Sequence, residues 1–405
     1  MEIETLKRSH LKRNILIAVV VVLIISTVIL NFTRARYRVT QSIPLVNGTI
    51  NYTAPDLNIV AIYVDGVATD TLPTGNYELT SESYCEIDGE RAEVTLSYDS
   101  STKTLTVAPF TTRGTKCYLY FEEANSAIDI IEGVYEDNQD ILAYDGTTDN
   151  NLRYIGADPA NYVYFNCDDY ASPSSDTCEL WRIIGVMNNV ESADGSSQSL
   201  VKLIRNDILG DYKWDSGYEN DWSAASLKNT LNNSYLNRTG SYNNTGITST
   251  TRDMIETVTW NLGGTSSTGT ASEFYIAERG TTVPSGNPTE WKGKIALMYP
   301  SDYGFATSGG SAGRETCLNY NLSSSYADHD DCTDNNWIYI GMEWTITPSS
   351  RMSDRVFLLR NGGYLSAYDL GGGSWDIRPS LYLTPEVTIT GGTGTLTNPY
   401  TLNFN

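Results

Sequence analysis

From residue 46 onward, apolar and polar side chains alternate along short runs broken by turn residues, the signature of half-buried strands. NIVAIYVDG (58–66), EVTLSYDSSTKTLTVAPF (93–110) and KCYLYFEE (116–123) follow it, and Asp99–Lys103 marks the turn of a hairpin. Further along, CELWRIIGVM (178–187), SLVKLIRND (199–207), GKIALMYP (293–300), RVFLLR (355–360), YLSAYDL (364–370), IRPSLYL (377–383) and VTITGG (387–392) read as strands. Asn361–Gly362 between two of them is the strongest short hairpin signal in the chain. With that turn, Arg355, Phe357 and Leu359 form one face of the first strand and Tyr364, Ser366 and Tyr368 one face of the second. The period changes twice. WSAASLKNTLNNSYL (222–236) sets Leu227, Leu231 and Tyr235 four apart on one helix face, with Ser223 as N-cap. STTRDMIETVTWNLGG (249–264) offers Thr250 with Asp253 as a near capping box, and Gly263–Gly264 ends it.

These elements predict an α+β chain with a small β-sandwich, immunoglobulin-like in outline, over 46–123. An acidic, turn-rich linker spans 124–150, and a domain of two helices and short antiparallel strands fills 151–405. Ahead of them, ILIAVVVVLIISTVIL (15–30) has no charge and, extended to 14–32, is long enough to cross a bilayer. The expectation is a cytoplasmic tail (1–13), a transmembrane helix (14–32) and a linker (33–45), with a cleaved signal peptide as the competing reading. Lys/Arg counting is nearly balanced, four before the apolar run and three after. All six cysteines lie beyond it, as Cys85/Cys117, Cys167/Cys178 and Cys317/Cys332 by proximity, one of 15 possible connectivities. An oxidising exterior suits them, so the orientation expected is N-in, at the cell membrane, with the later domains outside.

Charge removes one class of partner. The chain carries a net −22, and residues after 38 hold 20 basic against 47 acidic side chains, a net −27. A nucleic-acid backbone would be repelled. Hydrophobic content of 40% with 28 tyrosines and 8 tryptophans argues for packed cores rather than disorder.

The phrases LWRIIGV, RNDILGDYKWDS, WKGKIALMYPSDYG, WTITPSS and RPSLYL resemble a C-type-lectin-fold domain of uncharacterised function in bacterial surface proteins. The resemblance covers roughly 151–405, and the preceding β-domain is similar to one that travels with it. The same fold, with a closing RP-x-L-x-L strand, occurs in variable proteins of diversity-generating retroelements and in formylglycine-generating enzymes. In the variable proteins the segment before that strand contacts ligand. By position this implies Arg351, Arg355, Asn361, Tyr364, Ser366, Tyr368 and Trp375 as ligand-binding residues. Tyr and Ser supply amphipathic area and adaptable hydrogen bonds, and filling a half-buried face is the alternative use.

Catalytic chemistry is thinly represented. His329 is the one imidazole after the apolar run, which excludes an HExxH zinc site. GGSAG (309–313) matches G-x-S-x-G around Ser311, but no strand leads into it. Catalytic cysteines on the formylglycine-generating pattern would need thiols that three local pairs do not leave. No Walker loop occurs, so Gly371–Gly373, which lead into a strand, are read as a connecting loop. No cofactor is implied. Asp328, Asp330 and Asp331 are weak Ca²⁺ candidates, and Asp168–Asp169 form a second acidic loop, with solvated charge as the alternative. The EPN or QPD triplets of sugar-binding lectins are absent, and Trp375–Asp376–Ile377 only partly echoes their WND. The expected function is ligand binding or adhesion to a glycan or protein, without enzymatic activity. A self-associating envelope component and an exported enzyme are the alternatives, and the oligomeric state stays open.

Overall fold

The computed structural model describes residues 57–74, 77–99, 103–108, 115–123 and 126–404. No helix among these residues is long and apolar enough to cross a membrane, so the described structure supports no single-pass anchor. The expected span 14–32, with the tail 1–13 and the linker 33–45, lies outside the described residues. Strand makes up 38% and helix 19%, so the fold is mostly β rather than the expected α+β. The chain divides at Ala124 into two compact units.

The first unit holds β1 (Leu57–Val64), β2 (Val67–Thr69), β3 (Tyr77–Leu79), β4 (Tyr84–Ile87) and β5 (Glu90–Arg91). Next come β6 (Thr95–Asp99), β7 (Thr104–Ala108) and β8 (Thr115–Glu123). One sheet runs β2-β1-β8-β4-β5, with β3 also on β8 and β1 parallel to β8. β6 and β7 form the hairpin their alternation predicts, and it packs on the sheet through Tyr98 against Phe121 at 4.8 Å. Leu72, Leu105, Val107, Leu119 and Phe121 make the core between them. Cys85 and Cys117 face each other on β4 and β8 and are bonded. Their bridge therefore lies within one sheet, unlike the inter-sheet bridge of antibody domains.

The second unit begins with a helix, Ala127–Asp137, where the sequence suggests a linker. Ser126 and Asp129 form a full capping box there, and Ala127 and Ile131 are buried. The larger sheet contains β9 (Leu142–Tyr144), β10 (Leu152–Tyr154), β11 (Tyr162–Phe165), β12 (Glu179–Glu191), β13 (Ser197–Arg205), β17 (Ile295–Ala296) and β22 (Ser380–Tyr382). Its order is β17-β22-β13-β12-β10-β9, with β11 also on β12. The second sheet contains β14 (Gly210–Tyr212), β18 (Glu343–Pro348), β19 (Arg355–Arg360), β20 (Tyr364–Asp369) and β21 (Trp375–Ile377), ordered β14-β21-β18-β19-β20. Two ribbons, β15 (Val258–Asn261) with β16 (Glu290–Gly293) and β23 (Val387–Gly391) with β24 (Thr401–Phe404), complete it.

Both predicted helices shrink. Over 222–236 an α-turn at Ser226–Asn229 widens into a π-helix at Thr230–Tyr235, and Asp215 rather than Ser223 accepts the Ser226 N–H at 2.8 Å. Over 249–264 only Ser249–Asp253 is helical, capped by Thr248, and β15 follows because Val258, Thr259 and Trp260 favour a pleated surface. Cys167 is bonded to Cys178 and Cys317 to Cys332. The three bridges fit an extracellular protein.

The core gathers Trp181, Trp214, Trp222, Trp260 and Trp344, all fully buried. It also encloses charge. Arg153 on β10, Gly185 on β12 and Lys202 on β13 are consecutive partners across the sheet. The Asp302 carboxylate meets the two cations, at 2.8 Å to Arg153 and 2.6 Å to Lys202. Asp302 sits in the first turn of the helix Pro300–Phe305 and accepts the Tyr299 N–H at 2.9 Å.

Candidate functional site

The hairpin β19–β20 closes with Arg360 opposite Tyr364, so its loop has three residues, Asn361, Gly362 and Gly363, instead of two. Gly362 and Gly363 both have positive φ (93° and 74°), a conformation glycine adopts without Cβ strain. A Cβ on Gly363 would lie 2.8 Å from the Tyr303 hydroxyl and 2.9 Å from Thr333, so the tip is pressed onto the domain. The Tyr303 hydroxyl donates to the Gly363 carbonyl at 2.5 Å, and the Gly362 N–H donates to the Tyr339 hydroxyl at 2.7 Å.

One extra loop residue shifts the register by one and exchanges the faces of β19. Leu358, not Phe357, stands opposite Ser366. Tyr364, Ser366 and Tyr368 therefore share a face with Val356, Leu358 and Arg360, and Arg355 is on the other side. The expectation that Arg355 accompanies the tyrosines is wrong for this reason. Across β18 and β21 the same face continues through Trp344, Trp375 and, on β14, Tyr212.

Tyr364, Ser366, Tyr368, Trp375 and Tyr212 are half-buried on this face. Tyr368 meets Trp375 edge-to-face at 5.6 Å and lies 6.2 Å from buried Trp344. The Arg360 guanidinium stands 4.8 Å from the Tyr368 ring centre. Gly371–Gly373 form a tight turn whose first N–H donates to Asp369 at 2.7 Å. A Cβ on Gly372 would lie 2.7 Å from the Tyr368 ring, and one on Gly371 4.0 Å from the Tyr218 ring. Glycine at 372 thus lets Tyr368 approach the backbone, whereas a side chain at 371 would meet Tyr218 only in ordinary contact. Lys213 stands 5.2 Å over the exposed Tyr218 ring. Of the residues expected from sequence, the structure brings Tyr364, Ser366, Tyr368 and Trp375 together. Asn361 is exposed at the docked tip, and Arg351 is exposed in the loop before β19. Tyr212, Lys213, Tyr218 and Arg360 were not anticipated.

At its β14-β21-β18 end the opposite face of the same sheet carries three carboxylates. Asp211, Asp376 and Glu343 are successive partners across β14, β21 and β18. Glu343 is buried and takes the Arg378 guanidinium at 2.8–3.1 Å, so Arg378 of the closing strand is structural. Burial, then the hydrogen bond and charge of Asp211, push the Asp376 carboxyl up to about 6. A raised carboxyl costs stability when ionised, and that cost disappears as pH falls through its folded value. Asp376→Asn is expected to raise the thermal midpoint by roughly 2–4 °C at pH 8, the gap closing by pH 4 in calorimetry.

The remaining expectations separate. Ser311 donates its hydroxyl to the Asp331 carboxylate at 2.8–2.9 Å, and the His329 ring stacks on Tyr320 at 3.8 Å. Asp328 ends one short turn while Asp330 and Asp331 open the next, and Asp168 lies 3.5 Å from Arg238. Among the described residues no group of three or more His, Cys, Asp or Glu is arranged to hold a metal. Two shallow clefts, one by Asn220 and Trp222 and one by Leu200 and Val387, have room for at most a water. Compared with known proteins, the chain matches no family model, no curated protein and no solved structure.

Proposed function

We propose that the second unit is an extracellular binding module whose ligand lies on the aromatic face of the β14-β21-β18-β19-β20 sheet. One observation supports the reading: Tyr212, Tyr364, Tyr368 and Trp375 share one face of a single sheet, where each packs against the core with part of its side chain still exposed. Rigid aromatic side chains give large contact area at low entropic cost, and strand placement fixes their spacing. The expectation drawn from the variable proteins points to the same hairpin. Enzymatic turnover is no part of the reading.

The test uses the full-length chain on an array of immobilised polysaccharides and surface proteins, with and without EDTA. Ser366 lies between the two tyrosines, so Ser366→Gln adds uncharged bulk to the face and removes no core contact. Binding is expected to fall at least tenfold, to survive EDTA, and to leave the thermal midpoint within about 2 °C of the parent. Unchanged binding by Ser366→Gln would move the ligand off this face. Loss in EDTA would return the acidic loops to consideration as cation sites.

A further inference from the structure

We infer that the first unit is a load-bearing clamp, in which tension along the chain is carried by β1 and β8 in shear. Among the described residues, the chain enters this unit at Leu57, the start of β1, and leaves it at Glu123, the end of β8. The two strands are neighbours and run parallel, from Leu57 opposite Thr115 to Val64 opposite Phe121. Entry and exit therefore lie at opposite ends of one ladder. A pull on the second unit against the chain ahead of Leu57 draws the two strands past each other along their axes. The evenly spaced bonds of a parallel ladder then resist together. A pull on adjacent ends would open them one by one.

Side chains reinforce the ladder on both faces. Ile62, Leu119 and Phe121 are buried in the core on one side. On the other, Tyr63 stacks on its register partner Tyr120 at 4.9 Å, a cross-strand contact that slippage of either strand would break. The other edge of β8 pairs with β3 and β4. Cys117 on β8 is bonded to Cys85 on β4, and Tyr84 stacks on Tyr118 beside them at 4.9 Å. β8 cannot slide along β4 without breaking a covalent bond, so the strand that must yield is β1. How long the clamp holds under force is set by the barrier to its rupture rather than by equilibrium stability. The inference concerns the first unit and holds wherever on the second unit a ligand lies.

Single-molecule force spectroscopy of the full-length chain tests it, with one handle at the C-terminus and the other either at the N-terminus or inserted between Asp65 and Gly66. That exposed turn ends β1 beside the exit of β8, where the Asp65 N–H donates to the Phe121 carbonyl at 2.9 Å, so a pull from it unzips the same ladder. Reductant marks the unit. The Cys85–Cys117 bond is buried until the unit opens, and its reduction under load then frees the 32 positions it spans, about 11 nm of extended chain. The bonds of the second unit span only 11 and 15 positions and give shorter steps. The marked unit is expected to open at no less than twice the force from the N-terminal handle as from the inserted one. With the N-terminal handle, Tyr63→Ala should lower that force by at least a fifth, and Thr106→Ala, on the exposed side of β7 and outside the ladder, should leave it unchanged. Equal opening forces from the two handles, or a force indifferent to Tyr63→Ala, overturn the clamp. If the step of about 11 nm follows opening from neither handle, the bonded unit is not under the load and the inference fails.

Discussion

Replacing Asp302 by alanine is expected to lower the thermal midpoint of the second unit by roughly 10 °C or more, or to prevent folding. The carboxylate is buried, with 2% of its side chain exposed, and it is the acceptor shared by Arg153 and Lys202. Removing one partner of a buried pair leaves an uncompensated charge, which costs about 3–5 kcal/mol. Here two cations lose a partner together. Arg153 retains Asp145 at 2.8 Å, whereas Lys202 is left with the rings of Trp260, Tyr299 and Tyr382 at 4.4–5.4 Å. The alanine also leaves the Tyr299 N–H without its acceptor. The pH dependence gives an independent check. Burial pushes the Asp302 carboxyl up, but Lys202 and Arg153 outweigh it and hold the group at about 2. A depressed carboxyl contributes stability above its unfolded value and loses it as pH falls through the folded one. The parent should therefore lose this contribution between about pH 4 and pH 2. Asp302→Asn, which keeps an amide oxygen for the cap, should be less stable than the parent at pH 7 and show no loss in that interval. Thermal scans across pH read both effects, and an Asp302→Ala protein as stable as the parent would show that the cations do not depend on it.

Much of the β-structure was legible, because half-buried strands leave a period-2 trace, as in TLTVA on β7, and a strand buried on both faces leaves a short apolar run, as in LWRIIGV on β12. Cysteine proximity gave all three bridges. What escaped was set by contacts distant in sequence. Gly363 joins the β19–β20 loop because Tyr303 and Thr333 press on it, and neither is near it in sequence. That one residue decides whether Arg355 or Arg360 accompanies the tyrosines. Tyr218, with Lys213 beside it, lies near the Gly371–Gly373 turn from more than 150 positions earlier in the chain, and no local pattern announces either. The helix Ala127–Asp137 is a different kind of miss. Ser126 and Asp129 carry a capping-box signal that the acidic composition around them obscured. The transmembrane expectation rested on residues outside those described. The α+β reading failed because 249–264 has helical spacing at its start and strand formers at its end.

The close approach of the β10 backbone explains why β12 carries a glycine in its middle, and the second large effect follows from that position. Gly185→Ala is expected to abolish folding of the second unit. A Cβ there would lie 2.0 Å from the Leu152 carbonyl oxygen and 2.9 Å from the Arg153 Cα, both backbone atoms of the neighbouring strand. Real Cβ atoms do not approach so closely, so β10 would have to move away from β12. That movement would carry Arg153 away from Asp302, because Gly185 is the residue between Arg153 and Lys202. Steric displacement and loss of the ion pair therefore act together, and the combined cost exceeds the roughly 4–5 kcal/mol that marks the extreme of single substitutions. Near-ultraviolet circular dichroism of the buried tryptophans should disappear in the variant. Gly133→Ala is the matched control. It lies in the helix Ala127–Asp137 with nothing within 4 Å of its added Cβ, and should leave stability unchanged or raise it by about 0.5–1 kcal/mol. If Gly185→Ala instead folds with its tryptophan signal intact, the close approach of β10 to β12 is wrong, and the row joining Arg153 to Lys202 is wrong with it.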